Sequence, residues 1–129
     1  MNTGTIFRTL IVTPNAAARS SYKQYIAKIT KQPTLEFYDA PDVESVTQAI
    51  REKLTFNLVL VNLDELEVGI KLLKTARVSW KGATLIFFAP QKTKPGLMGL
   101  AADAGCDGIV HVPVEEGDFT ETVKTALRL

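Results

Sequence analysis

Asn57-Leu58-Val59-Leu60-Val61-Asn62 decides the fold. Between its two asparagines the polar–apolar alternation of a half-exposed strand is missing, so both faces must be covered. Such a strand belongs to a largely parallel sheet held between layers of helices. Thr84-Leu85-Ile86-Phe87-Phe88 reads the same way, after a break at Lys81-Gly82. Between the two strands Leu66, Ile70, Leu73 and Ala76 recur at helical spacing, which predicts a core-facing helix.

The pattern extends in both directions. Towards the N-terminus, Phe7-Arg8-Thr9-Leu10-Ile11-Val12 predicts a strand that stops at Thr13-Pro14-Asn15. Ala18, Tyr22, Tyr25, Ile26 and Ile29 then mark an amphipathic helix. Thr34-Leu35-Glu36-Phe37-Tyr38 alternates, as an edge strand should. Pro41 or Asp42 opens a second helix with Val43, Val46, Ile50 and Leu54 on one face. Towards the C-terminus, the loop Pro90–Gly96 precedes a short helix over 97–104, and Gly108-Ile109-Val110-His111-Val112 is a fifth strand. Asp118 is expected to cap the last helix, with Glu121 completing a capping box and Phe119, Val123, Ala126 and Leu127 facing inward. Five strand–helix units over residues 1–129 make one α/β domain, with no internal repeat or linker.

Composition removes several classes of function. The chain of 129 residues is 46% apolar and 22% charged, which suits a globular core. Its net charge of +1 gives no field to gather nucleic acid or anionic lipid. No apolar run approaches the ~20 residues of a membrane span. Met1-Asn2-Thr3-Gly4-Thr5 lacks the basic and apolar regions of a signal peptide. The single cysteine, Cys106, has no partner for an internal disulfide. The expectation is a cytoplasmic protein with no direct nucleic-acid or membrane role.

Ala104-Gly105-Cys106-Asp107-Gly108-Ile109-Val110-His111-Val112-Pro113 resembles the Ala-Gly-Ala-x-x-(aromatic)-(apolar)-x-Lys-Pro signature of the receiver domains of two-component response regulators. Leu10-Ile11-Val12, the strand at 57–62 and Gly69-Ile70-Lys71-Leu72-Leu73-Lys74-Thr75-Ala76-Arg77 fall at the matching places. The resemblance covers nearly the whole chain. It implies a flavodoxin-like (βα)5 three-layer sandwich with strand order 2-1-3-4-5.

It also implies a site, and this chain departs from it. A receiver that takes phosphate uses two acids after the first strand and an acceptor aspartate after the third, which together hold Mg²⁺. A hydroxyl after the fourth strand and a lysine after the fifth complete the set. The corresponding residues here are Thr13, Pro14, Asn62, Phe88 and Val112. A carboxamide cannot take a phosphoryl group as the aspartate does, so the resemblance implies a degenerate receiver that is not an enzyme and needs no metal or cofactor. Asn62 is read as a hydrogen-bonding residue that ties the strand end to its loop. Phe88 fills the emptied pocket and Val112 extends the plug. Asp39, Asp64 and Glu65 are read as loop and helix-start carboxylates, not as a relocated metal site.

Pro113 is a candidate cis-proline, because the family's Lys-Pro bond is cis. Cys106 is read as a small buried side chain, Tyr22 and Trp80 as packing or surface residues, and Arg77, Lys92 and Lys94 as a solvated face. The resemblance implies a signalling module that works through a protein partner, or as a homodimer. The face concerned is that of the fourth helix, fifth strand and fifth helix, with Leu97, Ile109, His111 and Asp118 as its candidate residues. The alternative is a small molecule or nucleotide at the carboxyl edge of the sheet, near the helix start at Asn15. No dinucleotide or Walker A motif supports it.

Overall fold

Strand and helix alternate from end to end: β1 (Ile6–Val12), α1 (Ala16–Ile29), β2 (Thr34–Ala40), α2 (Val43–Arg51), β3 (Leu58–Val61), α3 (Leu66–Ser79), β4 (Thr84–Pro90), α4 (Pro95–Asp103), β5 (Gly108–Val112) and α5 (Glu116–Leu127). This computed structural model describes residues 6–129, so the leader reading of Met1–Thr5 falls outside the described residues. The strands form one parallel sheet in the order β2-β1-β3-β4-β5. Among the described residues no helix is long and apolar enough to cross a membrane.

The unalternating strands are covered on both faces, as their composition requires. Leu10, Val12, Val59, Val61, Leu85 and Phe87 face α2, α3 and α4, where Val46, Leu73 and Ala76 meet them. Ile11, Leu58, Leu60, Ile86, Phe88 and Val110 face α1 and α5, where Tyr22, Ile26, Phe119 and Val123 meet them. The strands β2 and β5 form the edges, and both are only partly covered.

Local chemistry sets the helix ends. The Asn15 carboxamide oxygen accepts from the Ala18 N–H at 2.9 Å and starts α1. The Asp42 carboxylate accepts from the Ser45 N–H at 2.8 Å and starts α2. The backbone and hydroxyl bonds from Ser45 hold the Asp42 carboxyl below its ordinary pKa. A depressed folded value means that the contribution is present above the unfolded pKa and is lost as pH falls through the folded one. Amide exchange at Ser45 is expected to accelerate on acidification below the usual carboxylate range, and in Asp42→Ala it should be fast at every pH.

Two helix starts differ from the sequence reading. The helix α4 begins at Pro95, two residues early, because proline's fixed φ and missing N–H suit the first helical position. The helix α5 begins at Glu116 with Glu115 in the cap position, so Asp118 is not its cap. The Asp118 carboxylate instead accepts from the backbone N–H of His111 at 2.9 Å, joining α5 to the exposed edge of β5.

Arg77 is a larger correction. It is no member of a solvated face: its guanidinium donates to the carbonyls of Lys81 (3.0 Å), Ala83 (2.9 Å) and Gly105 (2.7 Å). It also meets the Asp107 carboxylate at 2.9 Å, and Asp107 in turn accepts from the Leu85 N–H at 2.8 Å. One planar fork therefore pins the end of α3 to the start of β4 and to the turn before β5. Gly105 permits this because its φ of +102° is open to glycine, and a Cβ there would lie 2.9 Å from Arg77 Nε. Cys106, next to this turn, is half-buried and not fully buried as read. Burial, then Asp107, pushes its thiol pKa up, which leaves it protonated and weakly reactive at neutral pH. Trp80 is buried, with its indole N–H donating to the Leu54 carbonyl at 2.7 Å, so it serves packing and no surface.

Candidate functional site

Open α/β sheets place ligands beyond the carboxyl ends of their strands, at the point where the strand order reverses. Here that point lies between β1 and β3, which carry Thr13 and Asn62 at their ends. Val12, Val61 and Phe87 pair in one row, so Thr13, Asn62 and Phe88 occupy the next row of three adjacent strands. Val112 pairs with Pro90 further along the same edge. The sequence-predicted positions are thus brought to one edge of the sheet.

The side chains of Thr13, Pro14, Asn62, Phe88 and Val112 themselves carry no charge. Thr13 is buried, and its N–H donates to the Ala40 carbonyl at 3.1 Å. Its own carbonyl accepts from the Arg19 guanidinium at 2.6 Å, while Pro14 points no donor or acceptor side chain anywhere and is exposed. The Asn62 backbone N–H donates to the Val12 carbonyl at 2.8 Å, continuing the β1–β3 ladder. Its side-chain Nδ2 donates to the phenol oxygen of Tyr22 at 2.8 Å. Asn62 therefore ties the end of β3 to the middle of α1, and not to its own loop as expected.

Tyr22 is the residue that sequence reading missed. It is 3% exposed. Its ring stacks on Phe88 at 5.2 Å and on Phe119 of α5 at 5.3 Å, with interplanar angles of 24° and 25°. Tyr25 meets Phe119 edge-on at 5.1 Å. Phe88 is buried in this cluster, 6.1 Å from Phe119, and it is the Tyr22 phenol that reaches Asn62. Burial raises the Tyr22 pKa and the bond from Asn62 opposes the rise, so the phenol stays protonated at neutral pH. A signal was present: a phenol on the inward stripe of a helix needs a polar partner once buried.

The neighbouring acids are directed elsewhere. The Asp39 carboxylate lies 3.0 Å from Lys23 and 3.8 Å from Arg19, both on α1. Asp64 and Glu65 line a separate shallow groove with Pro41, Asp42, Val43, Leu63 and Val68. Among the described residues no three His, Cys, Asp or Glu side chains gather in a way that could hold a metal ion.

On the second candidate surface, Leu97 and Ile109 are half-buried against the core beneath α4, and Leu100 beside them is half exposed. His111 and Asp118 flank each other, with His111 Nδ1 3.6 Å from the Asp118 carboxylate. The Val112–Pro113 peptide that ends β5 is cis.

No family model and no curated protein sequence matches this chain. Solved structures do match it. A response regulator receiver domain protein of Methanospirillum hungatei is 26% identical, with a TM-score of 0.75 over 95% of this chain and 94% of its own. A signal receiver domain of a histidine kinase from Clostridium thermocellum superposes with a TM-score of 0.78 at 14% identity, over 95% of this chain and 98% of that one. The fold is that of the receiver domains. The same fold occurs in a pilus assembly-related protein of Burkholderia pseudomallei, which is 12% identical with a TM-score of 0.71 over 99% of this chain and 94% of its own.

Proposed function

We propose that this protein is a receiver-like signalling module that acts through protein–protein contact and does not depend on phosphorylation. The observation that carries this reading is the bond from Asn62 to Tyr22, whose ring forms a three-membered aromatic cluster with Phe88 and Phe119. An acyl phosphate needs a carboxylate nucleophile and a cation to hold the incoming phosphoryl charge. At this sheet edge a carboxamide stands in place of the nucleophile, and its nitrogen is engaged with a phenol. Thr13 and Pro14 supply no carboxylate for Mg²⁺, and Val112 supplies no cation. Displacing Tyr22 to admit a phosphoryl group would break two aromatic contacts and a part-buried hydrogen bond.

A module that does not switch by phosphate needs another input, and a partner protein or a second copy of the chain is the simplest. The surface of α4, β5 and α5 is the one we assign to it, with Leu97, Leu100, Ile109, His111 and Asp118. The helix α4 is poor in charge and leaves Leu100 50% exposed, as a contact surface would. A cytoplasmic setting goes with this reading.

The test is an amide NMR titration of the protein with Mg²⁺, followed by Mg²⁺ plus beryllofluoride as a phosphoryl mimic. The amides of Thr13, Asn62, Phe88 and Val112 are expected to stay unshifted. Saturable shifts clustered on those four residues would overturn the reading.

A further inference from the structure

Beside the Tyr22 ring a small cleft runs between α1 and the end of β5. Ala18, Ser21, Tyr22 and Tyr25 of α1 line it on one side, and Asn62, Val112 and Val114 on the other. Its volume is about 250 Å³. An enclosed cavity of about 150 Å³ holds benzene, so this open cleft has room for a substituted six-membered ring. It lies at the carboxyl edge of the sheet, by the ends of β3 and β5, the edge where such sheets bind ligands.

The lining decides the class of ligand. No charged side chain borders the cleft, so an ion entering it would lose hydration without gaining a counter-charge. Valine, alanine and tyrosine rings offer apolar walls for a flat molecule. Two polar capacities remain unspent among the described residues. The phenol of Tyr22 accepts from Asn62 and donates to no other group of the described residues. The carboxamide of Asn62 donates through Nδ2, but its Oδ1 accepts nothing. A donor and an acceptor thus stand side by side in the lining of an open cleft, the Asn62 Oδ1 within reach of solvent. The complementary ligand presents an acceptor next to a donor, which is the pattern of a carboxamide or lactam.

We infer that this cleft binds an uncharged planar ring bearing an amide, its C=O taking the Tyr22 proton and its N–H donating to Asn62 Oδ1. The site does not depend on the partner surface proposed above, and its titration is run separately from that with beryllofluoride, so failure of either reading is distinguishable.

The probe is benzamide, titrated into the labelled full chain up to about 10 mM, since so small a ligand is expected to bind in the millimolar range. Saturable shifts are expected at Ala18, Ser21, Tyr22, Asn62, Val112 and Val114. Benzoate, which carries a charge, should bind at least about tenfold more weakly. Tyr22→Phe keeps the ring and removes the donor, and should weaken benzamide about tenfold. Ala18→Leu suits the helix and fills the slot from its lining, and should abolish saturable shifts. Absence of saturation in the unaltered protein overturns the inference, as does equal binding of benzamide to Ala18→Leu or equal binding of benzoate.

Discussion

Replacing Tyr22 by alanine is expected to cost about 3–5 kcal/mol of stability, a large part of what a domain of this size possesses. The side chain is buried at the junction of three elements. Its ring contacts Phe88 of β4 and Phe119 of α5, and its phenol accepts from Asn62 at the end of β3. Truncation removes the ring's buried area and opens a cavity that the rigid sheet cannot collapse into. It also leaves the Asn62 Nδ2 without its partner. Tyr22→Phe isolates the polar part, because the stacks survive, and should cost only about 1 kcal/mol. Urea unfolding of both variants checks this. Equal midpoints for the two would show that the aromatic stack contributes nothing beyond the hydroxyl.

Arg77→Ala is expected to cost about 2–4 kcal/mol, although the side chain is 30% exposed. Ordinary surface ion pairs contribute far less, so the Asp107 contact alone would not justify this figure. The reason is the set of backbone acceptors. The carbonyls of Lys81, Ala83 and Gly105 all face one guanidinium, and removing it leaves Ala83 and Gly105 with partly buried oxygens unpaired. Lysine should restore less than half of the loss, since a single ammonium cannot span four acceptors in one plane. Chemical denaturation measures the total. Hydrogen exchange locates it: protection should fall first at Leu85, whose N–H donates to Asp107. Protection that falls uniformly, or a loss below 1 kcal/mol, would show that Arg77 is the solvated residue its sequence context suggested.

Those two residues mark the boundary of what could be read from the chain. The unalternating runs at Leu58–Val61 and Leu85–Phe88 required cover on both faces, and the helical stripes between them supplied it, so the layers and the parallel sheet followed from burial alone. The similarity over Ala104–Pro113 then carried the strand order, which the hydrogen-bonded registers bear out. The shorter signals were less reliable. Asp118 has the composition of a helix cap, but β5 is an edge strand with an open N–H at His111, and that longer-range donor wins the carboxylate.

Apolar patterning alone dictates five strand–helix units and puts a carboxamide at the end of the third strand. The partner of that carboxamide is set by three-dimensional packing. Tyr22 and Asn62 are 40 residues apart, and Arg77 and Gly105 are 28 apart. Periodicity reports which face of an element is buried, but it carries no information on which partner a buried polar group will find across another element. Those pairings depend on strand order, register and side-chain direction together, and these exist only once the sheet has formed.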